Sequence, residues 1–380
     1  MKFASNIGSI VALLGIGGMV NAQTPDPGPV PAPVQEKDTV CLILPLTGPH
    51  EGLGRRVADA VERTMKAEMS DARVLRYDTK GTVLGAGEAV SQATEDPCSL
   101  AIGGLGDRES IAVADGAEAG ELPLVALGLV PDGRNREHVV WARTPRDLPV
   151  KALAGHLVAV RGEARASLLY PDTPYGRRVA HAFGAAFQAS GGRLRVEQSY
   201  PGAGGDLKAV AQRFATVWKS SGEGLDCAPE VIFVAADLAT ARRLVPFLRY
   251  EEVLGQTELA HCPPITVAGT GLWNEPILLA QGGDELLGAV FADLGRDESS
   301  ADGADDRLLE MESSDAARLV LAALDVRKAP GREGIRDVFR SGVSWKSGSG
   351  ELRLERGRVA GRKIVVYEID RGALKPVDGM

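Results

Sequence analysis

The sequence predicts an α/β protein made of two doubly wound parallel-sheet lobes. Short, continuously apolar runs alternate with segments of helical periodicity along most of the chain. Strands covered on both faces read in that way, and the alternation marks parallel sheets. The alternation also begins afresh midway. Finally, the 380 residues exceed what one ordinary core fills, so two domains are expected.

Taken in order, TVCLILPL reads as the first strand, followed by a helix over 51–69, the strand RVLRYD and a helix over 83–94. CSLAIGG, a helix over 108–119 and LPLVAL complete the first set. A short strand, HVVWAR, and a helix from Leu148 lead to the second set. That set reads ASLLY, a helix over 175–189, LRVEQSY, a helix over 206–219, EVIFVAA, a helix over 238–250 and ITVAG. Beyond it come LLGAVFAD, a helix over 314–326, a smaller helix over 333–340, and a hairpin-like pair, ELRLERG and KIVVYEID.

The restart carries an echo. GRRVADAV follows the first strand at Gly54, and GRRVAHAF follows ASLLY at Gly176. In the second copy Thr173 suits an N-cap, Pro174 suits the first helical position, and Val179, Phe183 and Phe187 recur on one face. Val57, Val61 and Met65 make the matching inward face of the first copy. The echo fits the equivalent first strand–helix unit of two similarly built lobes, although Ala- and Arg-rich helices can also match by chance.

The ends read differently. Lys2, the apolar IGSIVALLGIGGMV and the small residues closing at Ala22 form a leader with cleavage expected after residue 22. The run is short of the roughly 20 residues that span a bilayer, and no Cys near the cleavage point suggests a lipid anchor. Export to the periplasm or medium is the expectation. Residues 23–38, QTPDPGPVPAPVQEKD, are Pro-rich and aperiodic, an extended spacer.

In an exported chain the four cysteines are informative. Cys41 and Cys98 open neighbouring predicted strands, as do Cys227 and Cys262. The starts of adjacent parallel strands lie within disulfide reach, so the pairs Cys41–Cys98 and Cys227–Cys262 are expected. Four buried free thiols are the alternative in a chain this large.

Composition narrows the function. Lys plus Arg number 43 against 51 Asp plus Glu, a formal charge of −8, which argues against a nucleic-acid partner. The five histidines, at 50, 138, 156, 181 and 261, show no metal-ligand spacing. The GGLG at 103–106 is an incomplete dinucleotide loop, and Ser344 lacks the closing glycine of a nucleophile elbow. The acidic run at 297–306 lacks calcium-loop spacing and suits a solvated loop. A non-enzyme without cofactor or metal is therefore expected.

Together, VCLILPLTGP, IGG, PLVAL, LLYPDTPYGRR, VIFVAAD and VAGTGLWN resemble the leucine/isoleucine/valine-binding group of the type I periplasmic binding proteins. The likeness runs from Val40 to Val377, and Asp172-Thr-Pro-Tyr-Gly176 is its most specific piece. It implies two lobes joined by three hinge crossovers, here expected near 141–145, 270–276 and 343–349, and ligand capture by hinge closure. The lobes would be 39–143 with 276–345 and 144–275 with 346–380. The implied partners are a small-molecule ligand and an importer's membrane permease. The same fold serves periplasmic activators of cell-wall synthases that work by protein contact, and LPLTGP and YPDTPYGRR suit that group too.

In open parallel sheets, ligands lie beyond the carboxyl ends of the strands. That edge would carry Thr47, Gly48, Gly104, Leu105, Gly106, Leu127 and Gly128 in the first lobe, and Tyr170, Tyr175, Asp237, Thr270 and Trp273 in the second. The glycines equally suit plain turns, and Trp273 equally suits packing between lobes. Two departures bear on the ligand. Amino-acid binders of this family carry a hydroxyl-rich turn where this chain has 126–130, ALGLV, and a carboxylate where 269–273 has none. Burying an unpartnered zwitterion costs several kcal/mol, which puts the usual amino-acid ligand in doubt and leaves open a more apolar or larger ligand, or none.

Overall fold

Two separate sheets organise the chain in a computed structural model, which describes residues 37–128, 134–202, 205–221, 228–254, 263–275, 283–294, 304–348, 350–371 and 373–377. The leader and the spacer up to residue 36 lie outside the described residues, as do Cys227, Cys262 and most of the acidic run.

The first sheet contains β1 (Thr39–Leu44), β2 (Arg73–Asp78), β3 (Leu100–Gly103), β4 (Leu124–Ala126), β5 (Val139–Trp141), β11 (Ser344–Ser347), β12 (Gly350–Glu355) and β13 (Arg358–Ala360). Their spatial order is β11-β12-β13-β5-β4-β3-β1-β2. The second contains β6 (Arg165–Pro171), β7 (Arg193–Tyr200), β8 (Glu230–Val234), β9 (Thr266–Gly269), β10 (Val290–Leu294), β14 (Ile364–Asp370) and β15 (Ala373–Pro376). Its order is β15-β14-β10-β9-β8-β6-β7. The central strands pair in parallel; antiparallel pairs occur at β11–β12–β13 and β10–β14–β15.

Helices cover both faces of each sheet. α1 (Glu51–Ala67), α8 (Ala304–Val326) and α9 (Gly331–Ser341) cover one face of the first sheet, and α2 (Val83–Glu95) and α3 (Asp107–Ala119) the other. On the second, α4 (Leu148–Ala159) and α5 (Pro174–Ala189) oppose α6 (Leu207–Ser220) and α7 (Leu238–Tyr250). All of β1 is buried, which is why it reads as an unbroken apolar run. Val57, Val61 and Met65 are buried in the first core, and Val179, Phe183 and Phe187 in the second, where Phe183 stacks on Phe233 at 4.1 Å.

The repeated GRRVA has a packing cause. A Cβ on Gly54 would stand 2.0 Å from the Pro45 carbonyl oxygen, and one on Gly176 would stand 2.2 Å from that of Pro171. In both lobes the helix meets the proline-ended strand so closely that only glycine fits. Cys41 and Cys98 are bonded, their Cα atoms 5.8 Å apart, tying β1 to the approach to β3.

Several expectations need correction. The sequence reading put residues 276–345 in the first lobe, but β10 lies in the second sheet, parallel to β9. It put 346–380 in the second, but β12 and β13 belong to the first sheet. ELRLERG and KIVVYEID are therefore not a hairpin. The actual hairpin is β12–β13, turning at Arg356 and Gly357, both with positive φ. The chain passes between sheets at 142–147, as expected, but then between Leu294 and Ala304 and at 361–363, not at 270–276 and 343–349, whose flanking strands share a sheet. The helix expected from 314 begins ten residues earlier, at Ala304. An apolar run signals a strand but not its sheet, because pairing is decided by partners distant in sequence.

Candidate ligand-binding edge

At the carboxyl edge of the first sheet, Asp78 ends β2 and organises the turn after β1. Its carboxylate accepts from Leu46 N at 2.8 Å, Thr47 N at 3.1 Å, Thr47 Oγ1 at 2.6 Å and Lys80 N at 2.8 Å. Burial alone would raise this carboxyl, but those hydrogen bonds hold it below the ordinary range. Thr47 and Gly48 are exposed beside it. Next to them Thr79 Oγ1 donates to Glu109 Oε1 at 2.6 Å, and burial pushes Glu109 upward against that bond. The sequence reading missed both acids, since neither belongs to a recognisable motif.

Gly104 has φ +74°, and a Cβ there would lie 2.7 Å from Ser110 Cα. Gly106 is the N-cap of α3, while Leu105 packs half-buried against the first core. Leu127 and Gly128 are consumed by packing: Leu127 is fully buried, and a Cβ on Gly128 would be 2.1 Å from Ser110 Oγ.

At the second sheet's edge two cavities adjoin. The first, about 300 Å³, is walled by Thr144 and Arg146 from the first pass and Val150 from α4, with Tyr175, Arg178, Thr270, Leu272, Asp293 and, from the first lobe, Leu308. The second, about 270 Å³, lies among Thr173, Tyr175, Tyr200, Asp237, Arg243 and Leu272. Tyr175 and Leu272 line both. Thr173 Oγ1 accepts from Gly176 N at 3.0 Å, which starts α5 there and sets Tyr175 in its first turn. Asp237 caps α7 by accepting from Thr240 N at 2.8 Å, and Thr270 caps a short 3-10 turn at Gly271–Trp273.

Of the expected residues, Tyr175, Asp237 and Thr270 thus line cavities, whereas Tyr170 turns aside and donates to Glu197 Oε1 at 2.9 Å. Trp273 does not reach the cleft. It is fully buried against Gly269, its Nε1 donates to Ala236 O at 2.9 Å, and its ring meets Phe291 edge-on. The first-lobe residues, 47–48, 104–106 and 127–128, line neither of these cavities.

Asp293 was also missed. Placing β10 in the wrong lobe hid it, yet it stands next to the end of that strand at the first cavity. Its carboxylate accepts from Asn274 Nδ2 and from Leu294 N, each at 2.8 Å.

This architecture can be set beside known proteins. Residues 39–217 match the family model described as periplasmic binding protein. The chain has the fold of a type I periplasmic binding protein, and its residues 39–217 belong to that family by sequence. A putative branched-chain amino acid ABC transporter from Rhodospirillum rubrum shares 16% identity over 90% of this chain and 100% of its own, with a TM-score of 0.73. The leucine-binding protein of Thermotoga maritima shares 18% over 90% and 98%, at 0.59. An ABC-transporter solute-binding protein from Rhodopseudomonas palustris, solved with 3,4-dihydroxybenzoic acid, shares 17% over 89% and 95%, at 0.60. No curated protein matches the chain. These likenesses lend no support to the reading as a cell-wall synthase activator.

Proposed function

We propose that this protein is the exported solute receptor of an ABC-type importer, capturing a small organic molecule where the lobes meet. The observation that carries the reading is the first cavity, about 300 Å³, set beside the first pass and at the strand ends where α/β sheets take ligands. Tyr175 offers an aromatic face and a hydroxyl, and Leu272, Val150 and Leu308 offer apolar walls. Three inter-sheet passes suit a hinge that closes the first-lobe loops at 47–48 and 104–106 over a bound molecule. Amino acids and aromatic acids, the classes of leucine and of the 3,4-dihydroxybenzoic acid bound by similar proteins, are the first to try.

A thermal-shift screen of the full chain with amino acids and small organic acids tests this. A captured solute raises the melting temperature with concentration, since it binds only the folded state. A flat response across the panel would count against the receptor reading.

A further inference from the structure

The second cavity holds two groups that the fold itself does not use. Tyr200 closes β7 and is only 4% exposed, yet its hydroxyl meets no hydrogen-bond partner among the described residues. A buried hydroxyl without a partner is costly, so its position in a cavity wall calls for something in the cavity to bond it. Arg243, on the second turn of α7, lines the same cavity and makes no ion pair or hydrogen bond among the described residues.

The surroundings are positive for a second reason. Thr173, Leu207 and Thr240 in the wall belong to the first turns of α5, α6 and α7, so three helix N-termini meet there. Thr173, Asp206 and Asp237 each cap one of these termini by accepting first-turn N–H groups, and each helix adds the positive end of its dipole. The acid among the lining residues, Asp237, already accepts from Thr240 N.

We propose that this cavity is a subsite for the acid group of the captured solute, a carboxylate or phosphate held between the Arg243 guanidinium and the Tyr200 hydroxyl. The proposal rests on the receptor reading above and deepens it by naming the solute's chemical class. Arginine suits planar or tetrahedral oxyanions because its donors form a fork. Since Tyr175 and Leu272 border both cavities, the body of a solute anchored here extends past them into the first.

Titration calorimetry and melting curves on the full chain test this, using inorganic phosphate, benzoate and neutral benzamide at matched ionic strength. The expected result is saturable binding of phosphate or benzoate, with benzamide inert; which anion saturates identifies the acid group. Arg243→Gln should weaken that binding at least tenfold. Tyr200→Phe should weaken it severalfold while leaving the unliganded melting temperature unchanged or higher, because no intramolecular hydrogen bond is lost. Failure of both anions to saturate, or wild-type affinity in both variants, overturns the subsite. If solutes bind equally well as acid and as amide, the subsite falls and the receptor reading stands. If phosphate saturates through Arg243 but no organic solute binds, the subsite stands and the receptor reading falls.

Discussion

The Arg143 guanidinium and the Glu312 carboxylate form a buried ion pair, Nε to Oε2 at 2.8 Å, across 169 positions of the chain. Glu312 also accepts from Thr144 N at 2.7 Å. One turn along α8, Asp315 pairs with Arg362 at 3.0 Å, and Arg362 donates to Ala142 O and Thr144 Oγ1, each at 2.8 Å. Arg143 and Thr144 lie on the first inter-sheet pass, Arg362 on the third, and Glu312 and Asp315 on the helix that follows the second. One buried network therefore fixes where the chain leaves one lobe for the other.

Removing one partner from such a network strands the other charge. Glu312→Ala is expected to cost about 3–5 kcal/mol, read as a lower urea midpoint at unchanged slope. The pH dependence follows. Burial alone would raise Glu312, but Arg143, Arg362 and Arg146 outweigh it and hold the carboxyl below its ordinary 4.5. With the folded value below the unfolded one, the stabilisation is complete above about 4.5 and is lost as pH falls through the folded value. Melting curves from pH 7 downward should show that loss in the wild type and less of it in Glu312→Ala.

Glu109 should behave oppositely. Burial raises it, only partly opposed by the Thr79 hydrogen bond. A carboxylate whose folded value is raised penalises the fold as pH rises through that value, and the penalty vanishes below the unfolded value. Glu109→Gln keeps an acceptor for Thr79 and removes the charge. It should be at least as stable as the wild type at pH 8 and lose that advantage by pH 4; a large loss of stability at pH 8 would contradict the argument.

The Cys41–Cys98 bond closes a separation of 57 residues. Such a loop restricts the unfolded chain, and replacing both cysteines with alanine should cost about 2–5 kcal/mol. Reduction of the wild type should lower its melting temperature by a comparable amount and leave the double variant unchanged at that pair.

Tyr175 and Phe183 separate binding from stability on one helix. Tyr175→Ala should weaken solute binding by about 1–3 kcal/mol, the worth of an aromatic contact or hydrogen bond, and barely move the unliganded melting temperature. Phe183 is fully buried and stacked on Phe233, so Phe183→Ala should cost about 3–5 kcal/mol of stability. The reverse pattern would make Tyr175 a core residue.

Much of this was legible because its causes are local. The restart at ASLLY, the capped helix at Thr173 and the inward stripe of Val179, Phe183 and Phe187 follow from periodicity and capping chemistry, which act over a few residues. The GRRVA echo could be seen in the sequence, but its reason, two proline carbonyls pressed against Gly54 and Gly176, could not. Tyr175 was reachable because its position in a helix's first turn fixes where it stands. Trp273 was misread for the converse reason: a tryptophan after a strand end can face out or in, and here the Ala236 carbonyl and bare Gly269 draw it inward.

By itself, then, the sequence determined the class of fold, two doubly wound units, and most of the strand-length runs and helix starts, because burial on both faces imposes composition residue by residue. Only the tertiary structure decided that β10 joins the second sheet while β12 and β13 return to the first. It alone brought Asp293 to the first cavity, set the Tyr200 hydroxyl and Arg243 in one cavity wall with no partner among the described residues, and buried Glu312 against Arg143. Strand pairing and buried charge networks join residues a hundred or more positions apart, and no local pattern encodes which distant partner will be met.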